Sequence, residues 1–374
     1  MTRGTAQRAR RHARPISELP KRRKAFSILL SVALVLSLGA ITASFRSINR
    51  SLNTDFHSTT ETFSQDRVDV SIEFQHLLDS RVASRAVDGP FYEFPPPRNI
   101  EIDQYDPAGK YFTWFKLTPF SEDKDSAGVH LLFRPEKGGY SYHPVKMAQY
   151  GLSHFGNYVE TGNQDYLDVA VIQADYFVEN IDPITGMWYY DFEFPVHYNE
   201  TMIPPWGSAM AQGQVISLLS RVYNVTRDER YFETAKLAML PFSVPVADGG
   251  LVDYFHGYPF YEEYATIVPT YTLNGFIYSL LGLYDLWQIT GDAKAGELYK
   301  AGIETLLFAL PFYDSNGISL YWLAHLNGEG IPIHYAERYH QTHVWQLRII
   351  NQIEHSSLID FYIDRWDQYD QGAS

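Results

Sequence analysis

The sequence contains no cysteine, which excludes disulfides, thiolate nucleophiles and zinc sites built on sulfur. It is also short of positive charge, with 30 Lys and Arg against 44 Asp and Glu and a formal net charge of −14. The deficit is deeper in the body of the chain, because Arg3, Arg8, Arg10, Arg11, Arg14, Lys21, Arg22, Arg23 and Lys24 crowd the N-terminus with only Glu18 among them. So acidic a body does not hold nucleic acid through bulk charge, and a polyanionic ligand needs a locally basic cleft. Metal-site patterns are missing too. His340 and His343 lie three apart on an expected helix, but no third ligand follows at a metalloprotease spacing. No metal or other cofactor is required, and only a structural Ca²⁺ held by loop carboxylates is left open.

Aromatic residues are abundant, at 16% with 28 Tyr, 23 Phe and 7 Trp. Flat apolar rings suit the C–H faces of sugars, although they also fill cores. With 374 residues and 45% hydrophobic content, the chain can build one large or two ordinary domains. Residues 1–24 read as a basic cytoplasmic tail. The uncharged run Ala25 to Phe45 is long enough for a transmembrane signal anchor. Its basic flank keeps the N-terminus cytoplasmic and exports the body, with a cleaved signal peptide as the competing reading. An exported chain without cysteine leans towards a bacterial envelope rather than a Golgi lumen.

A polar stalk is expected over 46–66, then a β-rich domain over 67–138, on the alternation in Val68–Phe74, Tyr111–Leu117 and Val129–Phe133. From 139 to 374 the period becomes helical, with helices expected at 143–159, 165–180, 208–223, 229–240, 271–289, 293–309, 340–353 and 357–367. The connectors Thr161-Gly-Asn163, Thr226-Arg-Asp228 and Thr290-Gly-Asp292 recur at near-constant spacing, each ending in a good helix N-cap. A repeat carrying two helices points to stacked helical hairpins, which close into an α/α barrel or pack as an ordinary bundle. The fold class expected is α+β multidomain: an N-terminal antiparallel β domain followed by a C-terminal α/α barrel (toroid) of helical hairpins.

Three stretches, Tyr140–Gly151 (YSYHPVKMAQYG), Trp206–Tyr223 (WGSAMAQGQVISLLSRVY) and the run from Tyr261 to Trp366 with YEEY, LNGFIYSLLGLYDL, LPFYD, LYWLAHL and YHQTHVWQL, resemble the D-glucuronyl C5-epimerase family. The resemblance implies a homodimer that converts D-glucuronate to L-iduronate within heparosan or heparan-type polysaccharide. It implies catalytic residues Glu263, Tyr264, Tyr321 and Tyr339. Arg338, His340, His143, Lys146, Trp206 and Gln212 are the expected contacts to the sugar chain.

Inverting C5 requires removing the proton α to the carboxylate from one face and returning one to the other, so two acid/base groups must flank the ring. A phenol with its usual pKa near 10 is a weak base, and a neighbouring cation would have to lower it; Arg338, His340, His343 and Arg348 are placed to do so. Ala324 stands where the resembling YDLRH pattern carries arginine, which leaves the substrate carboxylate without its expected partner. Two other functions fit the same residues. A uronan lyase begins with the same proton abstraction and expels the C4 oxygen, and a non-catalytic exported glycan-binding protein keeps the cleft alone.

Overall fold

The computed structural model describes residues 104–111, 123–134, 138–197 and 200–371. Its helices follow from one small hydrogen-bonded module used three times. Thr161, Thr226 and Thr290 each turn their hydroxyl back to a carbonyl one helical turn earlier, Asn157 at 2.7 Å, Val222 at 2.8 Å and Leu286 at 2.6 Å. Each then accepts the amide two residues on, from Asn163, Asp228 and Asp292. The middle residue, Gly162, Arg227 or Gly291, sits at φ 68°, 58° or 73° and ends the first helix. The third residue caps the next helix by accepting backbone N–H groups of its first turn. Such caps contribute about 1 kcal/mol each. Helix end, reversal and helix start are thus written in three residues.

The hairpins formed in this way are α1 (Pro144–Thr161) with α2 (Gln164–Asn180), α3 (Ala209–Thr226) with α4 (Glu229–Leu237), and α5 (Leu273–Thr290) with α6 (Ala293–Ala309). A fourth hairpin, α7 (His340–Glu354) with α8 (Ser357–Gln371), reverses through His355 at φ 51°. Each expected helix is present. The largest shortfall is α4, which stops at Leu237 because Pro241 sends the chain into a 3₁₀ turn over Leu240–Ser243.

The first helices of the hairpins pack side by side in chain order, α1 on α3, α3 on α5 and α5 on α7, with each second helix against its own partner. The α3–α5 contact brings backbones together. A Cβ on Gly213 would lie 2.4 Å from Ser279 Cα, and one on Gly282 would lie 2.1 Å from the Gly213 carbonyl oxygen. Only glycine permits that approach.

Among the described residues, three two-stranded antiparallel sheets decorate the helices: β1 (Leu132–Arg134) with β2 (Gly139–Ser141), β3 (Phe194–His197) with β4 (Glu200–Met202), and β5 (Val252–Phe255) with β6 (Tyr258–Tyr261). Of the β-rich domain expected over 67–138, the described residues supply β1 and an isolated bridge between Lys124 and His130. The run Val129–Phe133 enters its strand only at Leu132. The remainder of that domain, the basic tail, the apolar run 25–45, the stalk 46–66 and the alternating stretch Val68–Phe74 lie outside the described residues. Among the described residues no helix is long and apolar enough to cross a membrane.

Residues 104–111 join the helical body through a fully buried cluster. Arg221 of α3 pairs with Asp285 of α5 at 2.5 Å and donates to the Gly109 carbonyl and the Tyr105 hydroxyl. Asp285 in turn accepts from Tyr105 and Ser217, each at 2.7 Å. Burial works against the charged guanidinium, but Asp285 and Tyr105 outweigh it and hold Arg221 protonated.

Candidate active site

Strand β6 delivers three consecutive polar residues, Glu262, Glu263 and Tyr264, to the end of the helical array. Glu262 is wholly buried and ties down the next loop: its carboxyl accepts from the Thr270 hydroxyl at 2.8 Å and from the Tyr271 amide at 3.2 Å to both oxygens. Those bonds hold Tyr271 at φ 50°, a left-handed conformation that non-glycine residues rarely adopt. The loop then positions the segment carrying Tyr321, because Leu323 N donates to Thr270 O at 2.9 Å and Leu273 N to Tyr321 O at 3.1 Å. Glu262 is therefore two hydrogen-bonded steps from Tyr321. Burial pushes its carboxyl up to about 8, against the lowering by its Thr270 and Tyr271 donors and helped by nearby Asp253.

Three of the expected tyrosines converge. Tyr264 Oη lies 3.1 Å from Tyr321 Oη, and the rings of Tyr321 and Tyr339 are 4.8 Å apart. Phe194 of β3 stacks on Tyr264 at 5.5 Å between centroids. Tyr339, immediately before α7, is 41% exposed and forms the open side of the cluster. Glu263 is buried at 6% exposure, and its Oε2 has no hydrogen-bond partner. The carboxyl lies against the first turn of α5, where a Cβ on Gly275 would fall 2.2 Å from Oε2. Burial lifts this carboxyl to about 7, while a hydrogen bond from Tyr264 acts the other way.

The phenols move up, not down. Burial and then the charge of Glu263 raise Tyr264 and Tyr321 far above their ordinary value, and the same two causes raise Tyr339, with Arg338 opposing. The expected activation of a phenolate by neighbouring cations is thus overturned. His343 is buried and held neutral, and both it and His340 direct Nδ1 to Ser319 Oγ at 2.8 Å. Arg348 is paired with Asp367. Beside the three tyrosines, the carboxyl raised to near neutrality is that of Glu263.

The expected sugar contacts divide. Arg338 is exposed beside Tyr339. Trp206 stacks on Tyr190 at 3.9 Å and borders a cavity of about 290 Å³ with Glu200, Met202 and Ala265. His143 caps α1, accepting from Lys146 N at 3.4 Å, and packs edge-on to Tyr190 at 4.9 Å. Lys146 is partly buried with its ammonium on Gln149 Oε1 at 3.4 Å.

Two of the six are committed to the fold, which corrects the sequence reading. Gln212 is fully buried and spends its amide on Trp188 N, Gly186 O and Ala238 O. His340 spends both ring nitrogens on Ser319 and Trp366 O. Among the described residues no group of three or more His, Asp or Glu is gathered to hold a metal ion.

Sequence reasoning missed Tyr190 and Tyr278, whose buried phenols also feel the charge of Glu263, and Gly275, which makes room for its carboxyl. Tyr278 and Gly275 sit inside the LNGFIYSLL motif, so spacing from Asn274 was the available signal. Tyr190 offers none beyond being one tyrosine of 28.

Residues 181–368 match the family model described as D-glucuronyl C5-epimerase C-terminus. A D-glucuronyl C5-epimerase of Caenorhabditis elegans is 38% identical over 212 residues, 53% of this chain and 34% of the relative. An uncharacterised protein of Methanocaldococcus jannaschii is 35% identical over 170 residues, 42% of this chain and 54% of the relative. The chain thus spans between a third and about half of the length of these relatives. Among solved structures, a cellobiose 2-epimerase from Spirochaeta thermophila superposes with a TM-score of 0.45 at 13% identity, covering 60% of this chain and 57% of the other. An α-mannanase from Bacteroides thetaiotaomicron gives 0.40 at 12% identity, covering 61% and 55%. The matched span carries Glu263, Tyr264, Tyr321 and Tyr339 together, and by it the chain belongs to the D-glucuronyl C5-epimerase family.

Proposed function

We propose that the chain inverts C5 of D-glucuronate residues within a heparosan or heparan-type polysaccharide, giving L-iduronate. The observation that carries this reading is a buried carboxyl, Glu263, with one oxygen unpartnered and no cation bonded to it among the described residues, beside the Tyr264–Tyr321 hydroxyl pair at 3.1 Å; burial lifts the carboxyl to about 7 and keeps the phenols protonated. In the forward direction the ionised Glu263 takes the C5 proton, and the electron pair is held by the adjoining sugar carboxylate as an enediolate. A phenol of the Tyr264–Tyr321 pair delivers its proton to the opposite face of C5. Proton return from Glu263 to the phenolate through the Tyr264 hydrogen bond restores the starting state, so atoms and charge balance without a redox partner. Protonated phenols also donate hydrogen bonds to the enediolate, which a cluster of anions could not. No bound metal or cofactor enters this scheme.

The hairpin array is read as part of an α/α toroid with the tyrosine cluster at its mouth. The sequence expectations of a membrane anchor at 25–45, an exported body and a homodimer belong to the same proposal.

The experiment is incubation with heparosan in D₂O. Retention of chain length with deuterium appearing at H5 by NMR supports epimerisation. An ultraviolet-absorbing, shortened product identifies a lyase instead, and binding without either change identifies a glycan-binding protein.

A further inference from the structure

The cavity beside Trp206 is not used by the acid/base cluster. At about 290 Å³ it lies near the small end of ligand cavities, with room for one sugar ring rather than a stretch of polymer. Its walls are tied to the residues that carry the proposed chemistry. The Leu251 carbonyl accepts the Glu262 amide at 2.8 Å, one residue before Glu263, and Ala265 follows Tyr264 directly. Between Trp206 and Tyr264 stands the ring of Phe194, at 6.0 Å from one and 5.5 Å from the other.

The lining has two chemistries. Met187 and Leu251, both buried, form an apolar floor with Val246 beside it, and they close over Gly207, where a Cβ would lie 2.6 Å from Met187 Sδ and 3.8 Å from Leu251 Cδ2. Trp206 adds a fixed apolar wall, because its indole N–H is spent on Phe192 O at 2.7 Å. Strand β4 supplies the polar side in Thr201 and Glu200, and Glu200 accepts Ile267 N at 2.6 Å, which fastens the strand to the segment after Tyr264. Among the described residues the lining contains no lysine, arginine or histidine. An anion placed here is desolvated against methyl and indole groups with a carboxyl nearby and no cation in the wall, which is costly. A sugar hydroxyl can instead donate to a carboxyl oxygen, and a methyl group gains by burial on an apolar floor.

We propose that this cavity is a specificity subsite for an N-acetylated hexosamine next to the reacting uronate, with the acetamido methyl on the Met187–Leu251 floor and the sugar hydroxyls at Thr201 and Glu200. An N-sulfated hexosamine is refused by the same walls. The proposal rests on the epimerase reading above and deepens it, since it names the polymer as one that still carries acetyl groups at nitrogen.

The test is direct binding by the full chain in detergent micelles, scored separately from H5 exchange. Heparosan oligosaccharides of equal length that differ only at nitrogen serve as probes: N-acetyl, N-formyl and N-sulfo. The unaltered chain should bind the N-acetyl form about tenfold more tightly than the N-formyl form, the effect of one methyl in an apolar pocket, and the N-sulfo form more weakly than either. Val246→Trp crowds the floor and should erase that N-acetyl preference. Glu200→Gln keeps an acceptor for Ile267 N and should raise N-sulfo binding about fivefold with N-acetyl binding unaltered.

Equal or tighter binding of the N-sulfo form by the unaltered chain overturns the subsite, and that comparison depends on no variant. So does a folded Val246→Trp chain that keeps the N-acetyl preference, or an unaltered chain that binds none of the probes. A Glu200→Gln chain that refuses the N-sulfo form as before removes Glu200 from the subsite. Absent H5 exchange with the N-acetyl preference intact would defeat the epimerase reading and leave the subsite standing. Normal exchange with equal binding of all three probes would do the reverse.

Discussion

Two buried carboxylates, each surrounded by tyrosines, have opposite fates in this molecule. Asp285 lies between α3 and α5 with a guanidinium at 2.5 Å and two hydroxyl donors, so its charge is met on every side. Glu263 lies at the end of α5 with one oxygen unpartnered and no cation bonded to it among the described residues. Tyrosine at Asp285 completes a cross-link, whereas tyrosine at Glu263 is the proton partner of the proposed reaction. Burial is common to both; the counter-ion is what separates a brace from an acid/base group.

The sharpest way to break that comparison is to neutralise each carboxylate in turn. Glu263→Gln should lower H5 exchange by about a thousandfold, because it deletes the carboxyl that stands among the tyrosines and ionises near neutrality. Folding at pH 7 should be no weaker and somewhat stronger, since burial raises the native carboxyl above its unfolded value and the variant cannot ionise. In the native chain, exchange should rise with pH through about 7 as the proposed base ionises, with no falling limb until the phenols titrate far above. A rate profile that fell through pH 7 would mean that Glu263 acts as the acid.

Arg221→Met tests the other side. It strands Asp285 as an unpaired buried charge and should cost about 3 to 5 kcal/mol in chemical denaturation. The double variant Arg221→Met with Asp285→Leu should recover much of that loss, since apolar replacement of a whole buried pair is often neutral. If Arg221→Met unfolds no more easily than the native chain, the cluster is not a brace.

Tyr321→Phe ranks next. It removes one hydroxyl from the 3.1 Å pair with Tyr264 but keeps the ring against Tyr339 and Trp322. A loss of about a hundredfold in kcat with KM little altered is expected if this hydroxyl moves a proton in the reaction. An equal loss in binding would make it a contact and nothing more.

How far the sequence foretold this depends on whether the information is local. Each hairpin reversal was legible because Thr, a left-handed residue and Asn or Asp do their work within three positions, as Thr226-Arg-Asp228 does even without glycine. The tyrosines were legible through family motifs, and their meeting is confirmed by the Tyr264–Tyr321 contact. What the sequence could not show is which partners a polar side chain finds across the fold. Gln212 and His340 looked like contacts to substrate, yet their hydrogen bonds are taken by Trp188, Ala238, Ser319 and Trp366. The pKa direction was misread for the same reason. Arg338 adjoins Tyr339 in sequence, but three-dimensional burial and Glu263 decide the phenol.

Glu262 is the intermediate case and gives the finest test of the comparison. Like Glu263 it has no cation bonded to it among the described residues, but like Asp285 it has donors, in Thr270 and the Tyr271 amide. Its native pKa of about 8 lies above the ordinary 4.5, so the folded state binds the proton more tightly than the unfolded chain. Stability is therefore full below about 4.5 and declines as pH rises through 8, by roughly 1 to 3 kcal/mol once competing donors are allowed for. Glu262→Gln keeps an acceptor for the Tyr271 amide and cannot ionise, so its stability measured by denaturant should be flat over that interval. At about pH 4 it should match the native chain and at pH 8.5 exceed it. A variant that instead loses stability at every pH, with Tyr321 chemistry impaired alongside, would show that the carboxylate itself holds the Tyr271 turn. Glu262 would then belong with Asp285 among the braces.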